Sequence, residues 1–235
     1  MCHCGGMRVT GVDACRRGWV AVSLDVRRPG EVQANRLRVE AVSVHQSLAG
    51  VLEGAGAGVV GIDMPLGLLE SGWREADLAA YGLLGPRRSS VFAIPPRAVW
   101  AQASYQAANQ RCRELTGRGF SIQAWGLRAK LLEANGYRAS CGHPLYEVHP
   151  ELAFGVLAGA PLAHSKHTAA GRDLRRELLA RAGIVLPGVP HAPATDALDG
   201  AAMAWSAWRI AAGRAVTLPD RPQHDRHGRQ IAIRY

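Results

Sequence analysis

"GVDACRRGWV", residues 11–20, is the stretch on which the fold turns. The apolar run that leads into it, "MRVTGVDA" (7–14), reads as a buried strand, and "GWVAVSLDV" (18–26) reads as a second. The short "CRRG" between them suits a hairpin. Asp13 then stands where a buried strand calls for Val or Ile. A buried carboxylate left unpaired is costly by several kcal/mol or more. Two explanations are open. A neighbour such as Arg16 or Arg17 satisfies Asp13 across the hairpin, or the carboxylate serves a cation or a substrate.

Outward from the hairpin, "VQANRLRVEAV" (32–42) alternates apolar and polar residues after the turn "RRPGE", so a third strand completes an antiparallel meander. "SVHQSLAGVLEGAG" has helical spacing, and "GVVGIDMPLG" (58–67) is a buried strand ending at Asp63. A helical insert follows at about 70–140, carrying the Pro-rich loop "GPRRSSVFAIPPR" (85–97) and two longer helices, "AVWAQASYQAANQRCREL" and "SIQAWGLRAKLLEANG". "PLYEVHPEL" (144–152) returns to a strand that Pro150 terminates, and "PELAFGVLAG" and "GRDLRRELLARAG" read as helices. "DALDGAAMAWSAWRIAAG" (196–213) is a strong final helix, and "RQIAIRY" suits a short edge strand. The order gives an α/β mixed sheet flanked by helices, with the helical insert after the fourth strand. Residues 1–6 are expected to be a disordered leader and 7–235 a single domain.

Composition narrows the class. Of 235 residues 48% are hydrophobic and 20% charged, as in soluble globular proteins. No apolar stretch approaches the roughly 20 residues of a membrane span. Residues 1–14 lack the basic segment and apolar run of a secretory signal. The five cysteines have no framework spacing and suit reduced thiols in a cytoplasm. Cys2, His3 and Cys4 could meet a soft metal, but a structural zinc site needs a second ligand pair and none is evident. The formal net charge is +9, and Lys130 and Lys166 are the only lysines. An arginine-dominated positive charge suits a polyanion, because guanidinium groups fork onto phosphate oxygens. A chain rich in Ala and Arg acquires the same charge by composition alone.

The acids form the chemical pattern. Asp13 shares a strand face with Val9 and Gly11. Asp63 closes a strand, where ligands commonly bind in sheets of this kind. Asp196 and Asp199 are three apart at the start of a helix and so share its face. The following Gly200, Ala201 and Ala202 are small enough to let that helix approach the sheet and carry its acids towards the strand ends. Glu147 and His149 share a strand face. Converging carboxylates repel by about 4 kcal/mol per pair at 4 Å and an effective dielectric of about 20, so they take up protons or bind a hard cation. Oxygen ligands in this number suit Mg²⁺ or Mn²⁺, and paired ions support in-line phosphoryl displacement. Each acid also has a plainer reading: Asp196 as a helix cap, Asp63 as a turn residue, Glu147 paired with an arginine of the insert, and His149 as a cap or core residue.

"GVDACRRGWV", "GIDMPLGL", "RRSSVF", "SIQAWGL", "YEVHPELAF", "SKHTAAGRDLRRELL" and "DALDGAAMAWSAWR" together resemble the family catalogued as domain of unknown function 429, over about residues 8–212. That family is described as predicted nucleases, and the resemblance implies an RNase H-like fold. Within the fold, the acid pattern is similar to that of RuvC-type Holliday-junction resolvases. They place acids on the first strand, at the end of the fourth, and as a D-x-x-D pair opening the last helix. They carry Glu where this chain has Asp63, and they lack the long helical insert. The expectation is therefore a Mg²⁺- or Mn²⁺-dependent phosphodiesterase acting on nucleic acid. Asp13, Asp63 and Asp199 would hold the metal, Asp196 would assist, and Glu147 would serve as a ligand or supporting base. Arg87, Arg88 and Lys166 are candidate phosphate contacts. Two rivals stand beside it: a non-catalytic nucleic-acid-binding module of the same fold, and a metal-dependent hydrolase of a small phosphorylated substrate.

Overall fold

The computed structural model describes residues 7–26, 37–140, 142–188 and 192–235; the expected leader, with Cys2, His3 and Cys4, lies outside these. The chain runs β1 (Met7–Cys15), β2 (Gly18–Val26), β3 (Leu37–His45), α1 (Leu48–Ala55) and β4 (Val59–Ile62). The insert then holds α2 (Glu75–Leu83), a 3-10 turn (Gly85–Ser90), α3 (Arg97–Trp100), α4 (Tyr105–Thr116), α5 (Ile122–Gly126) and α6 (Arg128–Ser140). After it come β5 (Leu145–Glu147), α7 (Pro150–Ala158), α8 (Ala169–Arg181), α9 (Ala194–Ala211), β6 (Thr217–His224) and β7 (Gln230–Arg234).

The main sheet has five strands in the order β3-β2-β1-β4-β5. β1, β2 and β3 form the antiparallel meander, and β4 and β5 add on parallel to β1. This is the α/β mixed sheet, flanked by helices, that was expected from the sequence. Its strands are apolar on both sides because helices cover both faces. On one face Val12, Trp19, Val60 and Ile62 pack with α1 and with the insert, where Trp100 and Phe120 meet edge to face at 5.6 Å. On the other face Val9, Val22, Leu24 and Val148 pack under α7, α8 and α9, against Phe154, Leu178, Met203 and Trp205.

Several boundaries differ from expectation. Residues 43–45, read as helix, extend β3, because Ser47 caps α1 by accepting from the Gly50 N–H. The helix read across 98–115 breaks at Ser104, which caps a new helix by accepting from the Ala107 N–H. The 3-10 turn occupies the first half of the expected Pro-rich loop. The C-terminal tail is not a lone edge strand: β7 pairs antiparallel with β6 in a separate ribbon, and its Ile231 and Ile233 bury against Ala76 and Ala80 of α2 and Leu152 of α7.

Candidate functional site

β1 and β4 lie side by side in parallel, with Gly11 opposite Gly61 and Val12 opposite Ile62. The Asp63 N–H donates to the Val12 carbonyl at 2.9 Å, so one further step of the register brings Asp13 alongside Asp63 at the strand ends. Val12 and Ile62 point into the α1 face, and alternation turns Gly11, Asp13 and Asp63 towards α9. There α9 touches the sheet backbone to backbone. A Cβ at Gly11 would lie 2.0 Å from the Ala204 nitrogen and 2.1 Å from the Gly200 oxygen, so the crossing needs a residue without a side chain. This close crossing carries Asp199, the residue before Gly200, to the same strand ends.

Asp13 is 7% exposed and accepts a 2.8 Å bond from the Ala14 N–H. Among the described residues it forms no ion pair, and Arg16 and Arg17 are exposed in the hairpin turn. Burial raises its pKa well above the usual carboxylate range; Asp63, Asp199 and Asp196 push the same way and Lys166 opposes them. Burial also raises Asp63, with His149 and Lys166 pulling it down. Asp199 is fully buried; its Oδ2 accepts from Lys166 Nζ at 2.5 Å, and its Oδ1 has no partner. Burial pushes Asp199 up to about 6 despite the adjacent ammonium. These shifts are the signature of negative charge gathered in a dry place.

Lys166 therefore does not stand free for phosphate, as the sequence suggested. It is the counter-ion of Asp199, and it also feels Asp13 and Asp63. Burial pulls its pKa down, but the three carboxylates outweigh burial and hold the ammonium above the ordinary lysine range. The loop carrying it is folded tightly onto α8: Thr168 caps the helix, and a Cβ at Gly171 would strike the Ser165 carbonyl at 1.9 Å.

Glu147, expected as a ligand or a supporting base, is engaged with the insert. It pairs with Ile62 in the sheet register, so it projects to the face opposite Asp63. Its Oε2 accepts from the Arg74 guanidinium and from the Leu66 N–H at 2.7 Å. Arg74 also approaches Asp77 at 3.6 Å, and all three side chains are buried. The arginine of the insert, one of the two partners open to Glu147, is thus the one it takes. Burial and then Asp77 raise Glu147, while Arg74 opposes the shift. Asp196 is half-buried in the first turn of α9 behind Pro193 at the N-cap, where its carboxylate accepts from Thr195 Oγ1 at 3.1 Å. It does not cap the helix.

Asp13, Asp63, Asp77, Glu147 and His149 all line one cavity of about 180 Å³. His149 is buried; its Nε2 lies 3.4 Å from the Ser90 carbonyl and its Nδ1 has no partner. Glu151, from the same "EVHPE" run, is buried against Arg175 at 2.5 Å. Arg87 is half-buried and Arg88 exposed on the 3-10 turn whose end borders the cavity; Arg88 lies 5.5 Å over the Tyr81 ring. Neither arginine forms an ion pair among the described residues. Sequence reading missed Arg74, Asp77 and Lys166 as parts of this electrostatic frame. An arginine and an acid three apart in "WREAD" were the only local hint.

Among the described residues, no group of three or more His, Cys, Asp or Glu side chains is gathered closely enough to form a ready metal shell. The donor chemistry still suits a hard cation. Asp13, Asp63 and Asp199 present only carboxylate oxygens, and Asp199 Oδ1 is a buried acceptor without a donor. In the arrangement seen, Lys166 supplies the positive charge such a group requires.

Two solved structures resemble the chain in outline. One is Thermus thermophilus RuvC, at 14% identity over 88% of this chain and 98% of that one, with a TM-score of 0.39. The other is T. thermophilus RuvC in complex with Holliday junction substrate, at 17% identity over 88% and 97%, with a TM-score of 0.38. Comparison with curated proteins finds no match. No helix among the described residues is long and apolar enough to cross a membrane. Residues 11–224 match the family described as "Protein of unknown function (DUF429)", and the chain belongs to that family.

Proposed function

We propose that the protein is a divalent-metal-dependent nuclease that hydrolyses phosphodiester bonds of nucleic acid at the strand ends carrying Asp13 and Asp63. One observation carries the reading. Asp13 and Asp63 face the side of the sheet to which α9 brings Asp199, burial raises the pKa of all three, Asp63 and Asp199 raise Asp13 further and Asp63 raises Asp199, and one buried oxygen of Asp199 lacks any donor. Asp13, Asp63 and Asp199 would hold Mg²⁺ or Mn²⁺ through their carboxylates. A bound ion there would polarise an attacking water and stabilise the leaving oxygen.

The chain's own residues supply the rest. Asp196 adds negative charge that is felt at Asp13. The Arg74–Glu147–Asp77 network fixes the opposite wall, so Glu147 supports the cavity from below without joining the ligands. Arg87 and Arg88, unpaired beside the cavity, would steady a phosphate. His149, in the tautomer that donates from Nε2 to Ser90, leaves Nδ1 as a proton acceptor on the cavity wall. The Lys166–Asp199 pair favours one rival, a binding module whose acids are already compensated.

Cleavage assays with Mn²⁺ on single-stranded, duplex, hybrid and branched substrates separate the readings. Cutting of any of them, lost in Asp13→Asn and Asp63→Asn, supports the nuclease. Binding without cutting supports the module. Turnover of small phosphoesters alone supports the third reading.

A further inference from the structure

Beside the acid cavity the helical insert opens a groove of about 750 Å³, in the size range of small-ligand sites. Trp73, Tyr81, Phe92 and Arg118 are among its lining residues, and it shares Asp77, Val91 and Phe92 with the acid cavity, so the two adjoin. Its aromatic residues are not sealed into the core: Trp73 and Phe92 are half-buried and Tyr81 is 47% exposed. Phe92 makes no ring or cation contact among the described residues. Arg118 lies 4.4 Å over the Trp73 ring and Arg88 5.5 Å over Tyr81, and neither is in an ion pair among the described residues. The one acid on the wall, Asp77, is buried and tied to the Ile94 N–H at 2.9 Å and to Arg74.

A groove whose Phe92 ring is free of ring and cation contacts among the described residues, with Arg118 on its wall and Arg88 held over Tyr81 beside it, suits an unpaired nucleotide. Bases stack on aromatic rings whatever their sequence, and guanidinium groups take the phosphates. An acidic peptide would satisfy the arginines but leave Phe92 without a flat partner. We infer that this groove is a subsite for an unpaired nucleotide next to the bond cut at the acid cavity, with its base on Phe92 and Tyr81 and its phosphates on Arg88 and Arg118. The inference deepens the nuclease reading and rests on it for the neighbouring cleavage site; the binding itself needs no metal. It gives the insert a task, the selection of single-stranded or locally opened substrate.

The test is fluorescence anisotropy of the full chain in EDTA, with a fluorescein-labelled 12-nucleotide thymidine strand and an abasic strand of equal length and charge. The base-bearing strand should bind about tenfold tighter or more, the scale of one stacked base. Tyr81→Ala and Phe92→Ala should each reduce that preference while leaving the abasic affinity unchanged. Arg118→Gln should weaken both strands alike and lower the slope of log affinity against log salt by about one. Tyr81 and Arg118 are exposed, so these two variants keep the test informative if Phe92→Ala misfolds. Equal affinity for the two strands, a preference that survives both aromatic replacements, or poly-glutamate competing as well as unlabelled thymidine strand would overturn the inference. Because binding is read without metal, a wild-type protein that prefers bases but never cuts would sink the nuclease reading and leave the groove standing.

Discussion

Replacing Gly11 by alanine adds one methyl group at the point where α9 crosses β1. An alanine Cβ would sit 2.0 Å from the Ala204 nitrogen, whereas ordinary contact begins at 3.4 Å, so helix and strand must part by about 1.4 Å. Both colliding atoms belong to backbone, and no rotamer change relieves them. Overpacking a rigid core costs about 1–3 kcal/mol, and a main-chain collision belongs at or above the top of that range. A loss of about 3 kcal/mol lowers the melting temperature of a domain this size by roughly 6–12 °C. The same shift lifts Asp199 away from Asp13 and Asp63, and a misplacement of about 1 Å is enough to cost on the order of 100-fold in rate. Urea and thermal unfolding of Gly11→Ala would be read against Gly136→Ala, a change in the middle of α6 where an added Cβ meets nothing. The control should gain up to about 1 kcal/mol. A Gly11→Ala protein as stable and as responsive to Mn²⁺ as the wild type would refute the close crossing and the placement of Asp199 that depends on it.

Three further outcomes follow from the charges. Asp13 has a raised folded-state pKa, so the folded protein holds more protons than the unfolded chain once the pH exceeds about 4, and stability falls as pH rises through that window. In EDTA, Asp13→Asn should therefore be more stable than wild type by about 0.5–2 kcal/mol at pH 7, with the gain vanishing near pH 4, as urea titrations at the two pH values would show. Arg74→Met strands Glu147 and Asp77 in the interior and should cost about 3–5 kcal/mol, while Arg74→Met with Glu147→Gln should recover part of it. Lys166→Met removes the ammonium from Asp199; the metal-free protein should melt lower than wild type, and added Mn²⁺ should raise its melting temperature by more than it raises the wild type's.

The sheet and the main acids were legible because they rest on local, periodic features. Strand alternation placed Gly11 and Asp13 on one face, and the small residues after Asp199 announced a helix able to lie close to the sheet. Glu147 marks where such reading stops. Its parity with His149 is visible in the sequence, but which face of the sheet it meets depends on the register of β5 against β4 and on the whole insert folding back to deliver Arg74. Lys166 was singled out for a phosphate because it precedes a helix. Its actual partner lies 33 residues away, brought near by the packing of α8 on α9, which no local spacing encodes. Two helix boundaries, one before the insert and one inside it, moved for a smaller reason: Ser47 and Ser104 start helices by capping them, and a continuous amphipathic pattern hides a cap.

The most direct measurement is the structure of the protein with Mn²⁺, located by its anomalous scattering at near-neutral pH. The ion is expected in contact with carboxylate oxygens of Asp13, Asp63 and Asp199, with Lys166 Nζ moved off Asp199. Crystals soaked at millimolar Mn²⁺ that show no ion there, with Lys166 still on Asp199, would contradict the account.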